Sequence, residues 1–140
     1  GLSDKDLFVR VVPGVNHIAW QLGHIISSER HFIERLNPGA SPPLPEGFDA
    51  KHGRDKTGED DPAAFYPLAT YQTLWKAQRE ATLATLESFP ETDLDDANPE
   101  KYPPYAPTPA AILTMTGLHP IMHAGQFVPV RRLLKLPITI

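Results

Sequence analysis

Two histidines four residues apart could hold a metal ion between them. His119 and His123 lie in a stretch that predicts a helix, in which residues four apart share one face, one turn apart. Neutral imidazole is a common ligand of zinc and nickel. The same face carries apolar residues, namely Ile112, Met115, Met122, Val130, Leu133 and Leu134. Histidines that face a core need hydrogen-bond partners or a metal ion, and the spacing alone leaves both alternatives open.

Three further histidines recur every seven residues, at His17, His24 and His31. Because positions seven apart in a helix are separated by about 10.5 Å along its axis, one metal ion can take at most one of the three. His24 differs from the other two, since Trp20 lies one turn before it. This position would lie at the border of the core, where a cleft between helices could open.

The other histidines are expected to face solvent. His17 and His31 lie on a helical ridge that also carries Gln21, and such a ridge is typical of a solvated polar face. His52 belongs to the polar run of residues 52–61, which predicts an exposed loop.

Three stretches have the apolar periodicity and the end signals of helices, at about residues 16–37, 67–89 and 108–134. Asn16 is the candidate N-cap of the first stretch. Thr108 is the predicted N-cap of the third, with a proline at the first helical position, which is a favoured pairing. No stretch shows the alternation of a β-strand, so the predicted fold class is all-α.

Proline separates the predicted helices. Most of the 16 prolines lie in two segments, at about residues 37–66 and 90–108, which are predicted to be long loops. The chain has 140 residues, the size of one domain, so residues 1–140 are assigned to a single helical domain. Pro120 lies between His119 and His123, removes the helical hydrogen bond to the Thr116 carbonyl and predicts a kink.

Composition argues against several classes of function. The net charge of −4 disfavours a general nucleic-acid binder. The longest uncharged stretch, residues 106–130, is interrupted by four prolines, so neither a membrane span nor a membrane partner is expected. No signal peptide is visible, which makes the cytoplasm the expected location. The chain has no cysteine, so a metal site must use histidine or carboxylate ligands.

Two segments resemble the motifs of one protein family. Residues 16–25, NHIAWQLGHI, are similar to the N-x-x-x-W-x-x-G-H segment of the DinB-like superfamily. Residues 119–126, HPIMHAGQ, with two arginines following at 131 and 132, resemble that family's closing H-x-x-x-H-x-G-Q motif. The order and separation of the two segments also match.

The resemblance implies an up-down-down-up four-helix bundle that carries a divalent metal ion on three histidines, often in a homodimer. Position by position, the ligands of the family fall on His24, His119 and His123. The family's first long helix precedes the segment that begins at Asn16, so we expect this helix to be missing or truncated here. Family members with known activity include transferases and isomerases that use low-molecular-weight thiols, and many others are assigned as metal-dependent hydrolases.

The expected function is that of a metal-dependent enzyme, because three protein ligands with an open fourth position are typical of a catalytic rather than a structural site. Zinc or nickel is the expected ion, and a bound water or thiolate would be the reacting group. The substrate is expected to be a small molecule, with a low-molecular-weight thiol as one candidate. Gln126 is the candidate for orienting a histidine ligand, and Trp20 for a pocket wall. The alternative is a metal-binding or interaction module without catalysis.

Apolar residues on the other sides of the third helix predict further contacts. These residues are Leu113, Leu118, Ile121, Phe127 and Val128. A helix that is apolar on more than one side usually has neighbours on both. The sequence therefore predicts a homodimer that packs through helices.

Overall fold

The structure, a computed structural model, describes residues 1–138, and within this range every regular element is helical. Three long helices and one short helix run in chain order as α1 (Ile18–Leu36), α2 (Phe48–Lys51), α3 (Leu68–Ser88) and α4 (Pro109–Leu133). Single 3₁₀ turns lie at Asp4–Phe8, Arg54–Lys56, Pro62–Ala64 and Glu91–Asp93. The predicted all-α class is confirmed. Within residues 1–17 the regular element is a 3₁₀ turn, and none of the described helices is long and apolar enough to cross a membrane.

Helix α1 is the centre of the bundle, because α2, α3 and α4 all pack against it. One buried cluster lies around its first half, where Ile18 and Ile26 meet Phe48 and Tyr71. A second buried cluster lies around its last turns, where Phe32 meets Ile112 of α4. Both faces of α1 are therefore covered, and a histidine in its middle is held between neighbouring helices.

The end signals of α3 and α4 confirm the sequence prediction. Helix α3 follows Pro67, and α4 has Pro109 as its first residue. The Thr108 hydroxyl accepts a hydrogen bond from the Ala111 amide at 3.2 Å, which satisfies one of the free N–H groups of the first turn.

The N-cap of α1 differs from the prediction. His17, and not Asn16, is the N-cap, and its Nδ1 accepts a hydrogen bond from the Trp20 amide at 3.1 Å. Its Nε2 donates to the Glu59 carbonyl at 2.8 Å, so the ring is fully buried. The predicted solvent exposure of His17 is wrong, because the polar run folds back over the start of α1 and covers it.

The polar run itself is less exposed than predicted. His52 is buried, with Nδ1 donating to the Phe48 carbonyl at 2.7 Å and Nε2 accepting from the Tyr71 hydroxyl at 2.9 Å. The ring lies directly against Gly23 of α1, where an added Cβ would come within 2.0 Å of it. The prediction of an exposed His52 is therefore wrong, because a hydroxyl and a carbonyl replace the water that its nitrogens would otherwise bind.

Helix α4 continues through Pro120. The Thr116 carbonyl, which lacks a helical donor because Pro120 has no N–H, accepts a hydrogen bond from Nη1 of Arg79 at 2.8 Å. A side chain of α3 thus replaces the missing backbone donor, and His119 and His123 remain on one face.

Apolar side chains on α3 and α4 are left half-exposed or more. They are Leu83, Leu86, Leu118, Ile121, Met122 and Leu133. Met122 and Leu133 were expected to face inward with His119, and this part of the prediction is wrong. The physical reason is that α1 contacts fewer positions around the circumference of α4 than a helical wheel assumes.

Candidate metal centre

Three histidines meet between α1 and α4. His24, His119 and His123 each offer a ring nitrogen that lies within 4.8 Å of the other two. The Nε2 atoms of His119 and His123 are 3.1 Å apart. The ring centroid of His24 lies 5.2 Å from that of His119 and 5.4 Å from that of His123. The structure thus brings together the three residues that the resemblance implies as metal ligands.

The remaining histidines lie apart from this group. His31 is exposed, as expected, and its Nε2 lies 3.9 Å from a carboxylate oxygen of Asp49. Both ring nitrogens of His17 and of His52 are engaged by the partners described above. None of these three is available as a ligand to the same ion.

Gln21 orients the ring of His123. Its Oε1 lies 2.9 Å from Nδ1 of His123, and its Nε2 donates to the Asn16 carbonyl at 2.7 Å. Because the amide oxygen can only accept, Nδ1 of His123 carries the proton, and Nε2 keeps its lone pair towards His119. This is the arrangement that a metal-ligating histidine needs from its neighbours.

Gln126 does not have the expected role. It is exposed, and Gln21 of α1 is the amide that bonds to His123. The helical periodicity of the sequence predicts Gln21 on a solvated ridge, but the residue is 2% exposed. Its position three residues before His24, on the same face of α1, is the sequence signal that could have identified it.

Trp20 positions His24 from within α1. The two rings are stacked with centroids 4.7 Å apart and planes 10° apart. The indole Nε1 donates to the Gly53 carbonyl at 3.0 Å, so the Trp20 ring is itself held in place by the polar run. Trp20 is buried and also forms one wall of the histidine group.

The three rings are held in the neutral form. Burial lowers the pKa of His24 and of His123 to about 4, and it also lowers the pKa of His119. For His24, the neighbouring His119 and His123 and the exposed Arg54 lower the pKa further. Neutral imidazole is the form that binds metal ions, because a protonated ring has no free lone pair.

The donor set fits a divalent ion of the zinc or nickel type. Two Nε2 atoms 3.1 Å apart require either a shared proton or a cation, since two facing lone pairs repel. Within residues 1–138, the group consists of nitrogen donors without a carboxylate. His24 and His119 are partly exposed, which leaves one side of the group accessible to a small molecule.

A buried ionic network lies beside the histidines. Oε1 of Glu29 accepts from Nη1 of Arg79 at 2.9 Å and from the Thr82 hydroxyl at 2.6 Å. Burial raises the pKa of Glu29, and the hydrogen bonds from Thr82 and Arg79 oppose that shift. The same Nη1 atom reaches the Thr116 carbonyl, so the network joins α1, α3 and α4.

The buried histidines outside the centre predict how acid affects the fold. Burial lowers the pKa of His17, and it lowers that of His52 to about 4, whereas an unfolded histidine titrates near ~6.5. The unfolded chain therefore binds more protons as the pH falls from about 6.5 towards 4. The free energy of unfolding should have its full value above about pH 6.5 and should decrease as the pH falls from about 6.5 towards 4.

Urea unfolding at several pH values in this window, with a chelator present to exclude metal effects, measures this decrease. A free energy of unfolding that stays constant down to about pH 5 would contradict the neutral, buried state of these two rings.

Most of the chain matches a known protein family. The profile of a family described as the DinB superfamily matches residues 1–127. The matched range contains His24, His119 and His123 together with Trp20 and Gln21. Searches of the curated proteins and of the solved structures found no significant match.

Proposed function

The chain belongs to the DinB superfamily, and we propose that it is a metal-dependent enzyme with His24, His119 and His123 as the ligands of one divalent ion. The observation that carries this proposal is the convergence of three neutral imidazole nitrogens within 4.8 Å. Zinc and nickel are the ions that suit such nitrogen ligands.

The accessible side of the group supports a catalytic rather than a structural site. A structural zinc site is usually closed by four protein ligands, whereas a catalytic site has three and an open position. Here three ligands converge, and two of them are partly exposed. A divalent ion there would supply Lewis-acid chemistry, which activates a water molecule or a thiol as a nucleophile.

The protein's own residues would prepare this site. Gln21 accepts the Nδ1–H hydrogen bond of His123 and so would leave Nε2 free to bind an ion. Trp20 fixes the plane of His24 by stacking against it. Because the chain has no cysteine, a reacting thiol would come from a small molecule.

Two reaction classes fit such a metal site, and assays with two kinds of substrate distinguish them. A thiol-dependent transferase joins a low-molecular-weight thiol to an electrophile, whereas a hydrolase cleaves an ester or amide without the thiol. We expect turnover by zinc- or nickel-loaded protein with glutathione and an activated aryl halide, or with a nitrophenyl ester alone. The metal-free protein is the control.

The alternative function is a metal-binding or interaction module without catalysis. It is favoured by the absence of a carboxylate from the histidine group in the described part of the chain, which leaves no obvious general base. Stoichiometric metal binding without turnover of either kind of substrate would support this alternative.

We also propose that the protein forms a homodimer through α3 and α4. The half-exposed apolar residues on these helices, among them Leu83 and Ile121, are the kind of surface that marks an interface. Light scattering at micromolar concentration should give twice the chain mass of 15.5 kDa. A mass equal to that of one chain would contradict the dimer.

The sequence-based expectations about location and other partners remain predictions. We expect a cytoplasmic protein that binds neither nucleic acid nor membranes. Subcellular fractionation and a salt-dependent binding assay with duplex DNA are the measurements that check them.

A further inference from the structure

One buried oxygen beside the histidines lacks a partner. Oε1 of Glu29 takes the hydrogen bonds from Arg79 and Thr82, whereas Oε2 is buried and has no hydrogen-bond partner within residues 1–138. Glu29 is 2% exposed. A buried carboxylate oxygen without a donor is costly, so a donor is expected in at least one state of the protein.

Glu29, which carries the unpaired Oε2 atom, lines the same narrow crevice as His119. Glu29, Thr116 and His119 are the polar residues of this crevice, and the rest of its lining is apolar. The crevice is too narrow to admit a water molecule, so a donor to Oε2 must come from the protein. The Thr116 hydroxyl already donates to the Leu113 carbonyl at 2.7 Å, so His119 is the remaining polar side chain of this crevice that could donate to Oε2.

The network holds Glu29 close to this part of α4. Nη1 of Arg79 bonds to Oε1 of Glu29 and to the Thr116 carbonyl, which lies three residues before His119 on the same face of the helix. Arg79 thus ties the carboxylate to α4 one helical turn before His119.

The tautomer of His119 connects this oxygen to the metal centre. Because His123 keeps its proton on Nδ1 for Gln21, Nε2 of His119 must carry the proton between the two facing Nε2 atoms when no ion is bound. In a centre where both Nε2 atoms were metal ligands, a neutral His119 would carry its proton on Nδ1. This new N–H group then needs an acceptor.

We propose that Glu29 is a positioning residue of the metal centre, whose Oε2 accepts the Nδ1–H of metal-bound His119. This inference rests on the proposed three-histidine metal site. It assigns His119 a carboxylate partner from α1, as Gln21 of the same helix is the partner of His123. Such partners orient a ligand and raise its basicity.

The test compares Glu29→Gln with a matched variant of the same network, Thr82→Ala. In Glu29→Gln the amide oxygen stays with Arg79 and Thr82, so the amide N–H₂ group faces His119 and repels its N–H. Thr82→Ala also removes a buried hydrogen bond of Glu29 but leaves Oε2 in place. Zinc affinity is measured by chelator competition, and the ligand field by the visible spectrum of Co²⁺-loaded protein.

We expect zinc affinity to fall about 10–100-fold in Glu29→Gln, with a changed Co²⁺ spectrum. Thr82→Ala should keep the spectrum and the affinity of the unmodified protein. If the unmodified protein binds no metal, the proposed function fails and this inference fails with it. If it binds metal and Glu29→Gln matches it in affinity and spectrum, only this inference is overturned.

A measurement on the unmodified protein covers the case in which Glu29→Gln does not fold. Long-range ¹⁵N–¹H spectra of the zinc-loaded protein report the tautomer of each histidine. A slowly exchanging Nδ1–H on His119 supports the inference, and a rapidly exchanging one overturns it.

Discussion

Replacing His24, His119 or His123 by alanine should abolish stoichiometric zinc or nickel binding. Each variant leaves two nitrogen ligands where three converge within 4.8 Å. The loss of affinity should exceed the ~100-fold that is typical when an outer partner of a ligand is removed. Elemental analysis of protein purified without a histidine tag, followed by chelator competition, measures the effect.

His31→Ala is the matched control for these three variants. It removes an exposed imidazole from the same helix as His24, without a contact to the centre. We expect it to bind one ion per chain, which is also the stoichiometry that we expect of the unmodified protein. Equal loss of metal in His31→Ala would show that the ligand set is a different one.

His52→Ala would be a misleading control. The sequence suggests an exposed loop residue whose removal is harmless, but the ring is buried and bonded to Phe48 and Tyr71. Its removal leaves a cavity and unpaired polar groups. A loss of metal in this variant would therefore report a damaged fold.

Replacing Gly23 by alanine should destabilise the protein by about 3 kcal/mol, at the upper end of the usual cost of overpacking. An alanine Cβ at this position would come within 2.0 Å of Cδ2 and 2.2 Å of Nε2 of His52. Neither the backbone of α1 nor the His52 ring can easily move away, because α1 is the central helix and His52 is hydrogen-bonded through both ring nitrogens. Urea unfolding measures the effect.

Gly125→Ala is the matched control for Gly23→Ala. An added Cβ at Gly125 meets no atom within 4 Å, and alanine favours a helix by about 1 kcal/mol over glycine. We expect this variant to be as stable as the unmodified protein or slightly more so.

A double variant identifies the clash itself. When His52 is already alanine, the further change Gly23→Ala should cost far less than it does alone, because the ring that meets the new Cβ is gone. If the cost is the same in both backgrounds, contact with His52 is not the reason for the glycine.

The helices and the two motifs could be read from the sequence because their signals are local. The N-cap Thr108, the first helical residue Pro109 and the prolines that interrupt helices act on neighbouring residues. The ends of α3 and α4 were therefore predicted within a residue or two. The pairing of His119 with His123 follows from one helical turn. The family was identified on the same segments, and its profile matches most of the chain.

The errors concern residues whose partners are distant in the chain. Gln21 bonds to His123, which is 102 positions away, and the ring of His17 bonds to Glu59, which is 42 positions away. A helical wheel assigned both to a solvated face because it represents only one helix. For the role of orienting His123, the sequence favours Gln126 over Gln21 because Gln126 is close to His123 in the chain. In the fold, however, Gln126 is exposed.

The helical class, the family and a short list of histidines therefore follow from the amino-acid sequence alone. Which polar groups are buried, and which partners satisfy them, depends on how the helices pack in three dimensions. The physical reason is that helix ends and periodicity depend on interactions within a few residues, whereas burial depends on which segments pack together. The roles of Gln21, His52 and Glu29 could be inferred only from the packing of the other helices around α1.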